Sequence, residues 1–551
     1  MIPLKVAFLW HNHQPNYELN GELILPWVRF HCVKDYLNIP NLILKYPNIK
    51  QTFNFVPSLL DQIEQLANGN IIDNIMRYTY PNPEDLNSED KKYIIDNFFI
   101  CNYDNLIKPY DNYLNLFNKK NEEINNWNNQ ELLDLQVWYN LTWCGEDIKK
   151  NNFIQRLFKK GKNFTQEEKL YLLEIQLNYL KLFINNLKLI NYSNQIELSF
   201  SPYYHPILPL VNNFESIKEN INDIDVNFEF KYSEDAKNHI KLSKNKYREI
   251  FDKEQKGMWS SEGSLSNDIL NYFIENNIQW TASDEDLLKN TNGDIYNPLE
   301  IYFPRIYNGF KGKINICFRD HKLSDKIGFN YSGMDEKEAV NDLINNLINI
   351  KNKLINTYDE NILNKACVYI ILDGENCWEF YKNNGELFLN MLFDELNKNT
   401  ELKTVTMSES VMVDNSPFDK LNNIKAGSWI YGNFKIWAGE SKNHLAWKLL
   451  SDTRKLLENN KNKIDNNTYE SAYYYILRAE ASDWFWWYYS EHHAPNKLDF
   501  DILFRNNLIK VYKILDEKIP NILTKSLWSE EELEQLKNEK NIVPSVMHQV
   551  E

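Results

Sequence analysis

Val368-Tyr-Ile-Ile-Leu-Asp373-Gly-Glu375-Asn376 is an apolar run that stops on a carboxylate. Such a run reads as a buried strand, with the Asp-Gly that follows as its turn. An isolated Asp-Gly would be only a tight turn. Six further runs share the pattern. Val6–Trp10 precedes His11-Asn-His13-Gln-Pro15, Thr52–Val56 precedes Pro57-Ser58, and Ile196–Phe200 precedes Ser201-Pro-Tyr-Tyr-His205. Met258-Trp259 precedes Glu262, Ile278–Ala282 precedes Ser283-Asp284-Glu285-Asp286, and Ile314–Phe318 precedes Arg319-Asp320-His321. Segments long enough for helical crossovers separate them, which favours a parallel sheet or barrel. In a (β/α) barrel the chemistry sits at the C-terminal ends of the strands, where these polar residues fall. Turn chemistry alone prefers Gly, Pro and Asn, and does not explain the series.

Helical apolar spacing is expected over 58–66, 84–100 and 166–190, as insertions after the early strands. The last third changes character, with helices expected at 444–458, 466–489 and 498–516, enough for a small bundle. The expected organisation is therefore α/β: a catalytic barrel with helical insertions over 1–415, then a helical domain over 416–551 that contributes to the cleft. Ser529-Glu-Glu-Glu532 has the form of a capping box.

With 551 residues the chain can bury a large core. Its net charge of −16 argues against nucleic acid and anionic membranes as partners, because both need basic patches. No apolar run approaches the roughly 18 residues of a membrane span. Met1–Trp10 lacks the long apolar region of a signal peptide and reads as a first strand. Six scattered cysteines without a C-x-x-C indicate reduced thiols and a cytoplasmic setting.

Glu262 lies between Gly257 and Gly263 and beside Trp259, so its loop can turn sharply and approach a ligand. The plainer reading is an exposed loop glutamate. Asp373 and Glu375 stand at i and i+2 after a strand; if strand geometry continues, both face the cleft. Neighbouring carboxylates push their proton affinities apart, which suits a general acid and its support. His11 and His13 share the i, i+2 spacing. They read equally as a clamp on sugar hydroxyls, as a metal-ligand pair, or as strand-end imidazoles satisfied by backbone. Arg319 and Asp320 read as an ion pair that organises the barrel mouth. Ser482-Asp483-Trp-Phe-Trp-Trp-Tyr-Tyr489 is the densest aromatic run, and Asp483 within it needs a partner. Ala426–Trp437 has the glycines and aromatics of a loop laid over a cleft.

Together these segments resemble glycoside hydrolase family 57. His11–Pro15, Gln195-Ile-Glu197-Leu-Ser, Gly257–Gly263, Asp373-Gly-Glu-Asn376 and Asp483-Trp484 are similar to its five motifs, in order. The resemblance implies a distorted seven-stranded (β/α) barrel closed by a helical bundle, in agreement with the seven runs. It implies Glu262 as nucleophile and Asp373 as acid/base of a retaining double displacement, with carboxyl groups about 5–5.5 Å apart. His11, His13, Glu197, Trp259, Glu375, Trp378, Trp429, Asp483 and Trp484 would bind substrate, with neither cofactor nor metal. Leu25–Tyr36, Asp134–Trp138 and Trp429–Trp437 look more like the amylopullulanase-type branch than the compact branching enzymes.

The expected substrate is an α-glucan or maltooligosaccharide, cut at α-1,4 and additionally α-1,6 linkages. A 4-α-glucanotransferase or branching enzyme on the same site is the alternative. A metal-dependent deacetylase or mannosidase-like enzyme with His11, His13 and Asp373 as ligands would leave Glu262 without a role. A non-catalytic glucan-binding protein would need the aromatics but not both carboxylates.

Overall fold

The computed structural model describes residues 2–221, 224–412, 418, 420–492, 494 and 496–539. The strand through His11 organises the sheet: β1 (Leu4–Asn12) pairs in parallel on one edge with the strand that ends at Asp373. Its other edge takes one strand along each half, Gln51–Phe55 (β2) beside Leu9–Asn12 and a late strand beside Leu4–Ala7. Next to β2 lies β3 (Ile196–Phe200), again parallel. A second sheet holds β4 (Trp280–Asp284) parallel to β5 (Gly312–Arg319). An antiparallel strand, Arg305–Gly309, flanks β5, and Lys420–Leu421 flanks that. Cys367–Asp373 is β6 and the late strand Leu402–Val405 is β7. Six of the seven expected runs are thus parallel strands.

The seventh, at Met258-Trp259, forms only an isolated parallel bridge from Gly257 to Trp280. The Gln279 N–H donates to the Lys256 carbonyl at 2.7 Å and the Met258 N–H to that of Trp280 at 3.1 Å. A Cβ on Gly257 would lie 1.8 Å from the Trp280 ring, so only glycine lets this segment approach β4. On its far side the Gln255 amide donates to the Phe200 and Gly257 carbonyls, both at 2.7 Å, in place of a ladder. The opposite seam, between β5 and β6, is stitched in the same way. The Asp320 N–H donates to the Tyr369 carbonyl at 2.9 Å and Arg319 Nε to that of Ile371 at 2.6 Å. The barrel is distorted because side chains and loop backbone bridge the two sheets.

The strands are buried on both faces: Val6, Phe8, Trp10 and Val368–Ile371 are all fully buried. Inserted helices cover the outside, including Pro57–Ala67, Asn129–Thr142, Gln166–Ile190 and Glu336–Thr357. The expected segment 84–100 is helical only over Pro83–Asp85 and Ser88–Asn97. All six cysteines are free and buried. Among the described residues no helix is long and apolar enough to cross a membrane.

The C-terminal helices are Ser441–Asn460, Asn466–Ala479, Ser482–Tyr488 and Lys497–Ile514. The single helix expected over 466–489 is broken at Glu480-Ala481, because Ala481 leaves the helix to bridge with Pro206. That break turns Ser482 and Asp483 inward. Arg454 fastens the group to helix Ser233–Phe251 through Asp235, at 2.8 and 3.1 Å. Reciprocal bonds between Ser529 and Glu532 form the capping box. The boundary expected after residue 415 falls outside the described residues.

Candidate active site

Strand register sets one level of the barrel: His11 stands opposite Asp373 on one side and Asn54 on the other, and Asn54 opposite Ser199. His11 Nδ1 bonds Asn54 Oδ1 at 2.7 Å, and Asn54 donates to Ser199 Oγ at 3.0 Å. Just beyond β1, His13 Nε2 bonds Asp483 Oδ1 at 2.8 Å, which supplies the partner Asp483 needed. The imidazole of His205 stacks on both histidines, 4.9 Å from His11 and 4.0 Å from His13. Burial lowers the proton affinity of His11 to about pKa 3, with His13 adding to the effect, and holds His205 well below its usual range. Both rings are therefore neutral, each with one donor and one acceptor nitrogen. Within this stack His11 Nε2, His13 Nδ1 and His205 Nε2 have no hydrogen-bond partner.

Glu262 enters from the loop after Gly257, in left-handed backbone with φ 56°. Such a conformation is strained for a non-glycine residue and persists where surroundings over-determine it. Here the Trp429 N–H donates to the Glu262 carbonyl at 2.9 Å, and Ser283 Oγ to that of Gly263 at 2.7 Å. The carboxylate accepts from Trp429 Nε1 at 2.9 Å and lies 3.5 Å from Ser482 Oγ. Its side chain is 17 % exposed. Burial, then the charge of Asp373, pushes its pKa up to about 8, while the Trp429 and Ser482 donors pull it back. Asp373 is raised by burial and eased by a 2.9 Å bond from Asn376 and by the His13 and Arg319 charges. The two carboxyl groups raise the cost of ionising both, so near neutral pH the pair holds a proton.

Glu375 does not share the cleft on equal terms with Asp373. It is buried and accepts from the His13 N–H at 2.9 Å and Gln14 Nε2 at 3.3 Å, which ties the Asp373 turn to the His-x-His segment. Burial, then Asp373, raises its proton affinity well above the usual range. Trp259 and Trp429 pack edge to face at 5.3 Å beside His11 and Glu262. The Arg319 guanidinium lies 5.3 Å over Trp429 and donates to Asp284 at 3.0 Å and to Asp325. The ion pair expected with Asp320 is not made, because Asp320 accepts instead from the Tyr302 hydroxyl at 3.0 Å and the Leu323 N–H at 2.9 Å.

Three of the expected substrate-binding residues lie elsewhere. Glu197 pairs with Thr52, one interior layer below the His11–Asn54–Ser199 level. Two strand residues put it about 6–7 Å deeper. There, half-buried and level with Leu9 in the middle of β1, it accepts from the Ser408 N–H at 2.8 Å and Trp280 Nε1 at 3.1 Å. Trp378 is 1 % exposed, and its indole donates to the Gly374 carbonyl at 2.8 Å under the Asp373 turn. Trp484, equally buried, donates to the Arg478 carbonyl at 2.9 Å. Both are core rings, and neither offers a face to a sugar.

Sequence reasoning passed over His205 and Ser482. Ser482 Oγ sits 3.0 Å from His205 Nδ1, and the Ser482 N–H donates to the His205 carbonyl at 2.9 Å. The signal for His205 was its place after the third apolar run. Two groups of metal-type donors converge among the described residues: His13, His205 and Asp483, and Asp284, Asp286 and His321. Neither is the His11, His13 and Asp373 set. In the second group Asp284 is consumed by Arg319, His321 and the Asp286 N–H. In the first, the unpartnered nitrogens and Asp483 Oδ2 match sugar hydroxyls as well as they match an ion.

A family model described as glycosyl hydrolase family 57 matches residues 7–421. Among solved structures, the fold is similar to a GH57-type branching enzyme from the hyperthermophilic archaeon Pyrococcus horikoshii. The TM-score is 0.61 at 13% identity, over 98% of this chain and 95% of that one. It is also similar to the alpha-amylase AmyC from Thermotoga maritima, with TM-score 0.58 at 12% identity, over 99% and 98%. At such identities the likeness concerns the fold. Among curated proteins, none matches the sequence.

Proposed function

The chain belongs to glycosyl hydrolase family 57, and from that premise we propose that it processes α-glucans by a retaining double displacement. Glu262 and Asp373 carry the reading: a strained loop and a strand end present two carboxyl groups that raise each other's charging cost in one pocket. Asp373 protonates the glycosidic oxygen while Glu262 attacks the anomeric carbon and forms a glycosyl-enzyme intermediate. The chain beyond the cut leaves as an alcohol. Asp373 then takes a proton from the incoming acceptor, whose oxygen displaces Glu262. The donors from Trp429 and Ser482 pull Glu262 toward its ionised form, so in the reactive form of the pair, populated as pH rises toward 8, the proton sits on Asp373. His11, His13, His205 and Asp483 supply acceptors and donors for the bound sugar, and Trp429 an apolar wall, with the fully buried Trp259 packed behind it.

The acceptor is water in a hydrolase, which acts on α-1,4 and also α-1,6 linkages, and a sugar hydroxyl in a 4-α-glucanotransferase or branching enzyme. Incubation with maltoheptaose and with pullulan separates these outcomes: products longer than the substrate mean transfer, and maltotriose from pullulan means α-1,6 cleavage. Near-normal activity of Glu262→Gln would remove Glu262 as the nucleophile. Stoichiometric zinc in the purified protein would point instead to a metal-dependent deacetylase-like or mannosidase-like reaction. Six free buried thiols support a cytoplasmic location.

A further inference from the structure

Ser482 Oγ touches two groups, His205 Nδ1 at 3.0 Å and Glu262 Oε1 at 3.5 Å. A hydroxyl carries one hydrogen, so it donates to only one of them at a time. The backbone holds all three residues in place. The Ser482 N–H donates to the His205 carbonyl at 2.9 Å, and the neighbouring residues Ala481 and Pro206 form a bridge. His205 and Glu262 both stand in left-handed backbone, at φ 58° and φ 56°. Such a conformation persists where its surroundings over-determine it.

The imidazole decides which way the hydroxyl points. The His205 ring is neutral because it is buried, so one nitrogen carries a proton and the other a lone pair. Among the described residues Nε2 has no hydrogen-bond partner in either tautomer, so the choice is made at Nδ1. A bare Nδ1 would take the Ser482 hydrogen over the shorter contact, and Glu262 would lose that donor. The Nδ1 lone pair would also face Glu262 Oε1 at 3.7 Å, where it repels a carboxylate. A protonated Nδ1 removes both costs. It donates to Ser482 Oγ, turns the hydroxyl hydrogen to Glu262, and points its own N–H dipole toward the same charge. Bonds in such a chain strengthen one another. The other titratable groups that face this chain are Asp373 and Asp483 on the Glu262 side, and His11 and His13 on the His205 side.

We propose that His205 is a positioning residue for the nucleophile: its Nδ1–H directs the Ser482 hydroxyl to Glu262 and so keeps the attacking carboxylate ionised and aimed. The proposal rests on the retaining reading above, in which Glu262 attacks. It adds a role for the ring that acts through Ser482 and moves no net proton.

The test is kcat/KM on maltoheptaose against pH in the full chain, with a melting curve for each variant. Ser482→Ala and His205→Phe each move the ascending limb up by about half to one unit, and activity near neutral pH falls about three- to tenfold. The double variant moves the limb no further, because the same chain is cut twice. His205→Asn tolerates left-handed backbone and places an amide donor near the position of Nδ1, so it keeps the limb in place whatever it costs in height. Shifts that add in the double variant, or a limb that His205→Phe leaves where it was, would overturn the proposal. Should His205→Phe fail to fold, nitrogen NMR of protein with labelled histidine decides, read at a pH where Glu262 is ionised. The His205 signals are assigned by their loss in His205→Asn. A protonated Nδ1 with a bare Nε2 supports the proposal, and the reverse tautomer overturns it. A parent inactive on α-glucans, or one whose kcat/KM does not climb toward a midpoint near 8, refutes instead the reading of Glu262 beneath it.

Discussion

Replacing Trp429 by Phe removes one atom group that matters, the indole N–H that donates to Glu262 Oε2 at 2.9 Å. Most of the ring remains to pack edge to face on Trp259 and under the Arg319 guanidinium. A hydrogen bond to a charged group contributes about 1.5–3 kcal/mol. At 1.36 kcal/mol per pKa unit, its loss raises the Glu262 pKa by about one to two units. Burial has already pushed that group up to about 8. A nucleophile must be ionised, so kcat/KM of the parent climbs with pH toward a midpoint near 8. In Trp429→Phe that ascending limb moves upward by about one to two units, and kcat/KM near neutral pH falls about 10- to 100-fold. The assay is kcat/KM on maltoheptaose across the pH range, with a melting curve to verify folding. A limb that stays in place while activity drops equally at every pH would mean that Trp429 acts by packing alone. A parent whose activity descends through pH 8 would make Glu262 the proton donor and refute the assignment of roles.

Further measurements test the other links. Asp373→Asn loses about 10²- to 10⁴-fold on maltooligosaccharides and much less on α-glucosyl fluoride, whose leaving group needs no proton; equal losses on both would deny Asp373 the acid role. Arg29 and Asp73 form a fully buried pair with contacts of 2.5 and 3.1 Å. Asp73→Asn strands the guanidinium and costs about 3–5 kcal/mol in denaturant unfolding. Gly257→Ala drives a methyl group into the Trp280 ring, 1.8 Å away before relaxation, and breaks the seam between β3 and β4. Soluble, cooperatively melting Gly257→Ala protein would contradict that account.

Much of this architecture is written locally. Apolar runs such as Cys367–Leu372 mark strands because burial on both faces leaves no polar alternation, and the residue that ends each run marks the catalytic end. Asp373 and His11 were legible as strand-end residues for that reason; Glu262, whose run forms only an isolated bridge, stood out by its flanking glycines and Trp259. The limits are equally physical. Glu197 sits on a true strand, but its depth depends on register with Thr52 and Ser408, which no local pattern encodes. Trp378 and Trp484 look like sugar platforms in the chain, yet burial is a property of what packs around a ring, and both are core. The contacts that define the pocket join distant segments: Trp429 and Ser482 reach Glu262 across 167 and 220 residues. The break at Glu480-Ala481 that aims Ser482 and Asp483 inward exists because Ala481 bridges to Pro206. Chain order thus carries the strands and their reactive ends, since these follow from short-range periodicity. Depth, partners and the electrostatics of the carboxylate pair emerge only on folding, because each depends on charges and donors brought from elsewhere in the chain.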